Sequence, residues 1–288
     1  MKMFKTPFFK GIISFLIVLL FMPIGHALMV VNEKVLENKM FIGAFLIGLA
    51  GLISLIIGIY KNDKSNTATL MGLLAGVLVW TGWVEFSFVW IAQKLNVAPL
   101  MENGEIVTKP EYLVMLSSLG LLLTVLSFFM LRATNCNFFV FFQKLTNIKN
   151  KLGKENKSTK LYSIITFIET IMLLWFFYIL LLVIYDKSIA GDRHPITFAV
   201  AFGSLTWAAY LFLNLIKINK FDYSIRYAIP TVIIFWNFIE IIGRWNYFKE
   251  IWVHPFEYWV ENLIILTLLL IFTVFYFTQG KRNINQNI

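Results

Sequence analysis

The chain has 288 residues, 59% of them hydrophobic and 14% charged, with a mean hydropathy of +0.74. No soluble core of this size absorbs so much apolar surface, so lipid must be the solvent for most of it. The excess of nine positive charges then speaks for basic cytoplasmic loops and against nucleic acid as a partner, and the single cysteine, Cys136, excludes an internal disulfide or a multi-cysteine metal cluster.

A spanning helix needs about 20 apolar residues. Runs that qualify lie at 11–31, 40–60, 69–92, 112–131, 161–185, 195–216, 228–246 and 256–278. The expected fold is therefore all-α, a polytopic bundle of eight transmembrane helices. The first run resembles a signal peptide, with Lys2, Lys5 and Lys10 ahead of it and Gly25-His26-Ala27 as a cleavage-like site. Its apolar stretch continues through Val31, so the segment is expected to remain as helix 1. Lysines and arginines number seventeen on the side of the N-terminus, loop 61–68, segment 132–160, segment 217–226 and the tail. Eight lie on the other side, which places both termini in the cytoplasm of a cell membrane.

The organising stretch is Val77–Lys94, an apolar run with one carboxylate, Glu85, in its middle. It has an echo at Val232–Lys249, where Glu240, Trp245 and Lys249 follow Glu85, Trp90 and Lys94 by 155 positions. Aligned without a gap, 40–94 and 195–249 also match Ala44 with Ala199, Gly48 with Gly203 and Val77 with Val232. A rare charge recurring in register suggests two parallel four-helix repeats, 1–131 and 161–288, related by an axis along the membrane normal. Between them, 132–160 reads as a basic amphipathic cytoplasmic linker. Phe138, Phe141, Phe142, Leu145, Ile148 and Leu152 form its apolar stripe, with Lys144, Lys149 and Lys151 off that stripe.

Ionisable groups inside a bilayer are costly and need a partner or a purpose. Glu85 shares its helix with Trp80 and Trp83, and Glu240 shares a face with Trp236, Asn237 and Arg244. In parallel halves both carboxylates fall at similar depth in the outer leaflet, as a cation-binding or proton-exchanging pair in an aromatic-lined cavity. The structural alternative is a Glu240–Arg244 salt bridge and a Glu85 carboxyl bonded to an indole. Glu169, with Thr166 and Thr170 beside it, suits an inner step of an ion path. Pro230 could kink the helix below Glu240, and the glycines of 40–60 and 69–92 permit close helix approach.

A second cluster combines His254, Glu257 and Glu261 at helical spacing with His194 and His26 at similar depth. Imidazole plus carboxylate could hold a divalent metal such as zinc, iron or manganese, although His254-Pro255 ahead of Glu257 also reads as an ordinary helix start. Glu240-x-x-x-Arg244 resembles a fragment of the intramembrane CAAX-type protease pattern, and Trp80-x-x-Trp83 a fragment of vitamin-transporter motifs. The rest of each pattern is missing, and neither family is adopted. Three function classes follow. The first is a permease or ion-coupled transporter of a small polar or cationic solute. The second is a membrane-embedded enzyme with a His/Glu site at the outer leaflet. The third is a subunit or sensor whose aromatic surface packs on a membrane partner or a second copy.

Overall fold

Thr6-Pro7 starts the first helix in the computed structural model, which describes residues 6–102, 105–134, 137–148 and 161–284. The Thr6 hydroxyl accepts from the Phe9 amide, and proline occupies the first helical position, where it has no amide to leave unpaired. Helix α1 (Pro7–Leu36) ends where Glu37 takes a positive φ of 41°. The chain then folds back through a short 3₁₀ turn into α2 (Met40–Tyr60). Asn32 fastens this turn by donating to the Met40 carbonyl at 2.8 Å. Helix α3 (Ser65–Val79) returns along α2 and passes through a π-helical turn, Trp80–Glu85, into α4 (Phe86–Lys94).

A hairpin absent from the sequence reading follows: β1 (Leu100–Glu102) pairs antiparallel with β2 (Glu105–Thr108). The run expected as one helix at 112–131 is two, α5 (Pro110–Leu116) and α6 (Leu119–Met130), bent by 48°. Ser117 and Ser118 lie at the bend. Their hydroxyls donate to the Val114 and Met115 carbonyls at 2.6 and 2.7 Å, competing with the helical ladder. The remaining helices are α7 (Asn137–Leu145), α8 (Tyr162–Tyr185), α9 (Pro195–Leu215), α10 (Phe221–Arg244) and α11 (Trp259–Ile284). Helix α10 runs through Pro230 as one element.

The fold is an all-α polytopic membrane bundle apart from the hairpin. Among the described residues, six helical stretches are long and apolar enough to cross a membrane, and a seventh if α5 and α6 count together. The first of the six, Pro7–Tyr60, contains both α1 and α2. Helices α1, α3, α8 and α10 form the centre. Ile17, Leu73, Leu173, Ile225, Ile229 and Val232 are all buried there. Helices α2, α6, α9 and α11 surround them and expose Phe45, Ile53, Leu121, Phe128, Phe202, Leu213, Leu263 and Ile271, as lipid-facing helices do.

Two packings are mirrored. α3 lies against α8 and α10 against α1, while α2–α3 and α9–α10 are the antiparallel neighbours. Close approach is permitted by glycine. A methyl on Gly82 would meet the Ala44 carbonyl at 2.6 Å, and one on Gly11 would meet the Ile216 backbone.

Part of the 132–160 segment docks into the bundle. Phe139 is buried and stacks on Phe129, and Phe142 meets Phe176. Gln143 donates to the carbonyls of Met130 and Arg132, closing the end of α6. Phe141 reaches Trp207 and Leu145 is exposed. Lys149, Lys151 and Leu152 lie outside the described residues, as does the Phe138 side chain.

Candidate functional site

Three central helices turn a matching stripe toward one space. Met22, His26, Met29 and Glu33 of α1 fall at i, i+4, i+7 and i+11. Leu174, Tyr178, Leu181 and Tyr185 of α8 do the same, as do Ile233, Asn237, Glu240 and Arg244 of α10. That spacing keeps four side chains in line over three turns. Together they wall a cavity of about 400 Å³, bordered at one end by Val107 and Thr108 of the hairpin, by Lys109 after it, and by Glu250, Trp252 and Val253. The volume is that of a small-molecule site.

Glu240 stands in the wall of this cavity. Its Oε1 accepts from the Trp236 indole at 2.6 Å and lies 3.5 Å from His26 Nε2. The His26 ring stacks on Trp236 with centroids 6.4 Å apart, and its Nε2 is 3.3 Å from the Tyr178 hydroxyl. Tyr178 and Glu85 in turn line one small void. Glu85 is buried and accepts from the Trp80 indole at 3.1 Å. This second, smaller void of about 30 Å³ is lined by His26 and Trp80 as well, with room for a water or two. The two carboxylates thus share one neighbourhood around an imidazole and a phenol, with the larger cavity at Glu240 and the smaller void at Glu85.

Each glutamate has a tryptophan donor one turn earlier on its own helix. The spacing is four residues at Trp236–Glu240 and five at Trp80–Glu85. The π-helical turn accounts for the difference. Its wider ladder places residues five apart where an α-helix places residues four apart.

Arg244 is not the partner of Glu240. Its Nε donates to Asp192 Oδ1 at 2.6 Å, its Nη1 to the Val107 carbonyl at 2.8 Å, and its guanidinium lies 4.2 Å from the centre of the Tyr185 ring. The arginine thereby fastens the hairpin and the 186–194 loop to the end of α10. Trp245 adds a second tie, donating to the Asp192 carbonyl at 2.6 Å. Two polar atoms at the cavity are buried with no hydrogen-bond partner among the described residues, the Asn237 amide nitrogen and the Tyr185 hydroxyl. Asn237 is 2% exposed.

Other sequence candidates lie elsewhere. Trp83 faces away from Glu85, donating to the Phe45 carbonyl beside Gly48 on the flank shared with Phe86 and Trp90. Glu169 is fully buried in α8 and borders neither void. The proposed metal ligands are not brought together. His194 caps α9, accepting from the Ile196 amide, and Glu257 pairs with Lys249 at 3.8 Å. His254, Glu257 and Glu261 share no helical face, because 251–258 is turn and α11 begins at Trp259. Asn262 holds that arrangement by donating to the Ile251 and Tyr258 carbonyls. His26 joins Glu240 instead, and among the described residues no group of three or more His, Cys, Asp or Glu is placed to hold a metal ion.

Sequence reasoning missed Tyr178, Tyr185, Tyr112, Glu33, Glu250 and Trp252. Tyr178 and Tyr185 carried a signal, being two phenols seven apart on one face of an apolar helix. The hairpin carried one too, since Asn103-Gly104 is a strong turn dipeptide, although those two residues lie outside the described set. The sequence matches no known protein-family model, and no match is found among curated proteins or solved structures.

Proposed function

We propose that the protein is a multi-pass permease of the cell membrane that admits a small solute from the hairpin end and couples its movement to protons on the Glu240–His26–Tyr178–Glu85 chain. The observation that carries this reading is the shared neighbourhood itself. Glu240 in the wall of the larger cavity and buried Glu85 at a smaller void meet around one imidazole and one phenol, with His26 Nε2 3.5 Å from Glu240 and 3.3 Å from the Tyr178 hydroxyl.

The architecture supports it. Counting α1 and α2 separately and α5–α6 as one gives eight spans. Helices α2 and α9 are both 21 residues, beginning at Met40 and Pro195 with the 155-residue offset of the two glutamates. Helices α1 and α8 begin at Pro7 and Tyr162 with the same offset. The exchanged packing, α1 on α10 and α8 on α3, is what a twofold axis along the membrane normal would produce. By the charge asymmetry both termini are cytoplasmic and the hairpin end is external.

Uptake by proteoliposomes of a panel of cationic, neutral and anionic solutes tests this. A Glu85→Gln, Glu240→Gln double variant is expected to lose uptake, and unaltered uptake would rule the mechanism out. The His26–Glu240 pair would also serve acid–base catalysis in a membrane-embedded enzyme. Chemical conversion of a panel member by purified protein, with no net flux, would favour that reading.

A further inference from the structure

Resting on the permease reading, the cavity's lining narrows the solute. Its cationic residues are already engaged. Arg244 is held by Asp192, the Val107 carbonyl and the Tyr185 ring, and Lys109 lies 3.9 Å from Glu111. Three carboxylates stand on the wall, Glu33, Glu240 and Glu250, and among the described residues only Glu240 has an ion-pair neighbour within 4 Å, His26. Aromatic faces stand beside them. Trp236 and Trp252 are 4.8 Å apart at 49°, and Tyr112 stacks on Tyr178 at 6.2 Å. Tilted aromatic rings with nearby carboxylates make the surroundings that hold an ammonium group.

The Asn237 amide is the independent sign that something polar belongs there. A buried N–H without an acceptor costs free energy that a ligand oxygen would recover. The apolar wall of Met22, Leu174, Phe177, Leu181 and Ile233 leaves the rest of the ligand hydrophobic.

We infer that the cavity takes an organic cation: an ammonium group held between Glu240, Glu250 and the Trp236–Trp252 rings, an apolar body, and an acceptor oxygen for Asn237. Benzoylcholine has all three features. Its carbon isostere 3,3-dimethylbutyl benzoate lacks the charge, and benzyltrimethylammonium lacks the carbonyl.

Isothermal titration of the full chain in lipid nanodiscs, with empty nanodiscs as blank, reads the prediction. Benzoylcholine is expected to bind at least about tenfold tighter than its neutral isostere, the scale of one charge-assisted contact. Glu240→Gln should shrink that ratio. Asn237→Ala should weaken benzoylcholine several-fold while leaving benzyltrimethylammonium unchanged. The wild-type comparison needs no variant and so does not depend on one folding. Equal binding of the charged and neutral esters overturns the inference, as does equal loss of both cations in Asn237→Ala. Benzoylcholine binding without uptake in proteoliposomes would leave the ligand class standing and remove the transport reading. Uptake of an anionic or neutral solute with no benzoylcholine binding would do the reverse.

Discussion

At the scale of single residues, Glu250 sits just outside α10 beneath Gly243, where a methyl group would run into its carboxyl. Burial, and secondarily the charge of Glu240, push its pKa from the usual 4.5 up to about 7, against the opposing pull of Arg244. Between those values the folded chain holds a proton that the unfolded chain has released, so stability falls as pH rises through this window. Thermal unfolding across that range should show the decline, and Glu250→Gln should flatten it. An unchanged slope in the variant would assign the decline to another group. The two glutamates were legible in the sequence because a carboxylate within an apolar run is conspicuous. Their connection was not, because His26 and Tyr178 lie 152 positions apart and only the packed helices bring them together.

At the scale of elements, Arg244 is the latch of the hairpin end. It binds the 186–194 loop through Asp192 and strand β2 through the Val107 carbonyl, and β2 borders the cavity. Arg244→Gln should destabilise this end by about 2–3 kcal/mol, the cost of stranding a buried charge-assisted contact. Amide exchange in 105–109 and 186–194 should rise while that of α3 and α8 stays unchanged. Protection unaltered in the hairpin would mean that the latch lies elsewhere. Helix positions could be read from hydropathy, but breaks could not. The bend at Ser117-Ser118 and the π-helical turn at Trp80–Glu85 preserve an apolar run while changing its ladder. The expected face of His254, Glu257 and Glu261 failed for a related reason. Pro255 suits a helix start, but Asn262 binds the preceding carbonyls and keeps 251–258 in turns.

At the scale of the whole molecule, composition alone places the chain in lipid, and the exposed apolar residues of α2, α6, α9 and α11 agree with that. The arrangement of α1, α3, α8 and α10 gives two glutamates one neighbourhood with unequal space beside them, Glu240 at a cavity of about 400 Å³ and Glu85 at a void of about 30 Å³. If that arrangement moves protons with solute, the carboxylates work as a unit and their removal is not additive. The most direct measurement is benzoylcholine uptake by proteoliposomes containing the wild type, Glu85→Gln, Glu240→Gln and the double variant at matched protein content. The account predicts that each single variant loses most of the uptake and that the double variant loses little more. Losses that multiply, or a Glu85→Gln variant that transports at the wild-type rate, would contradict it.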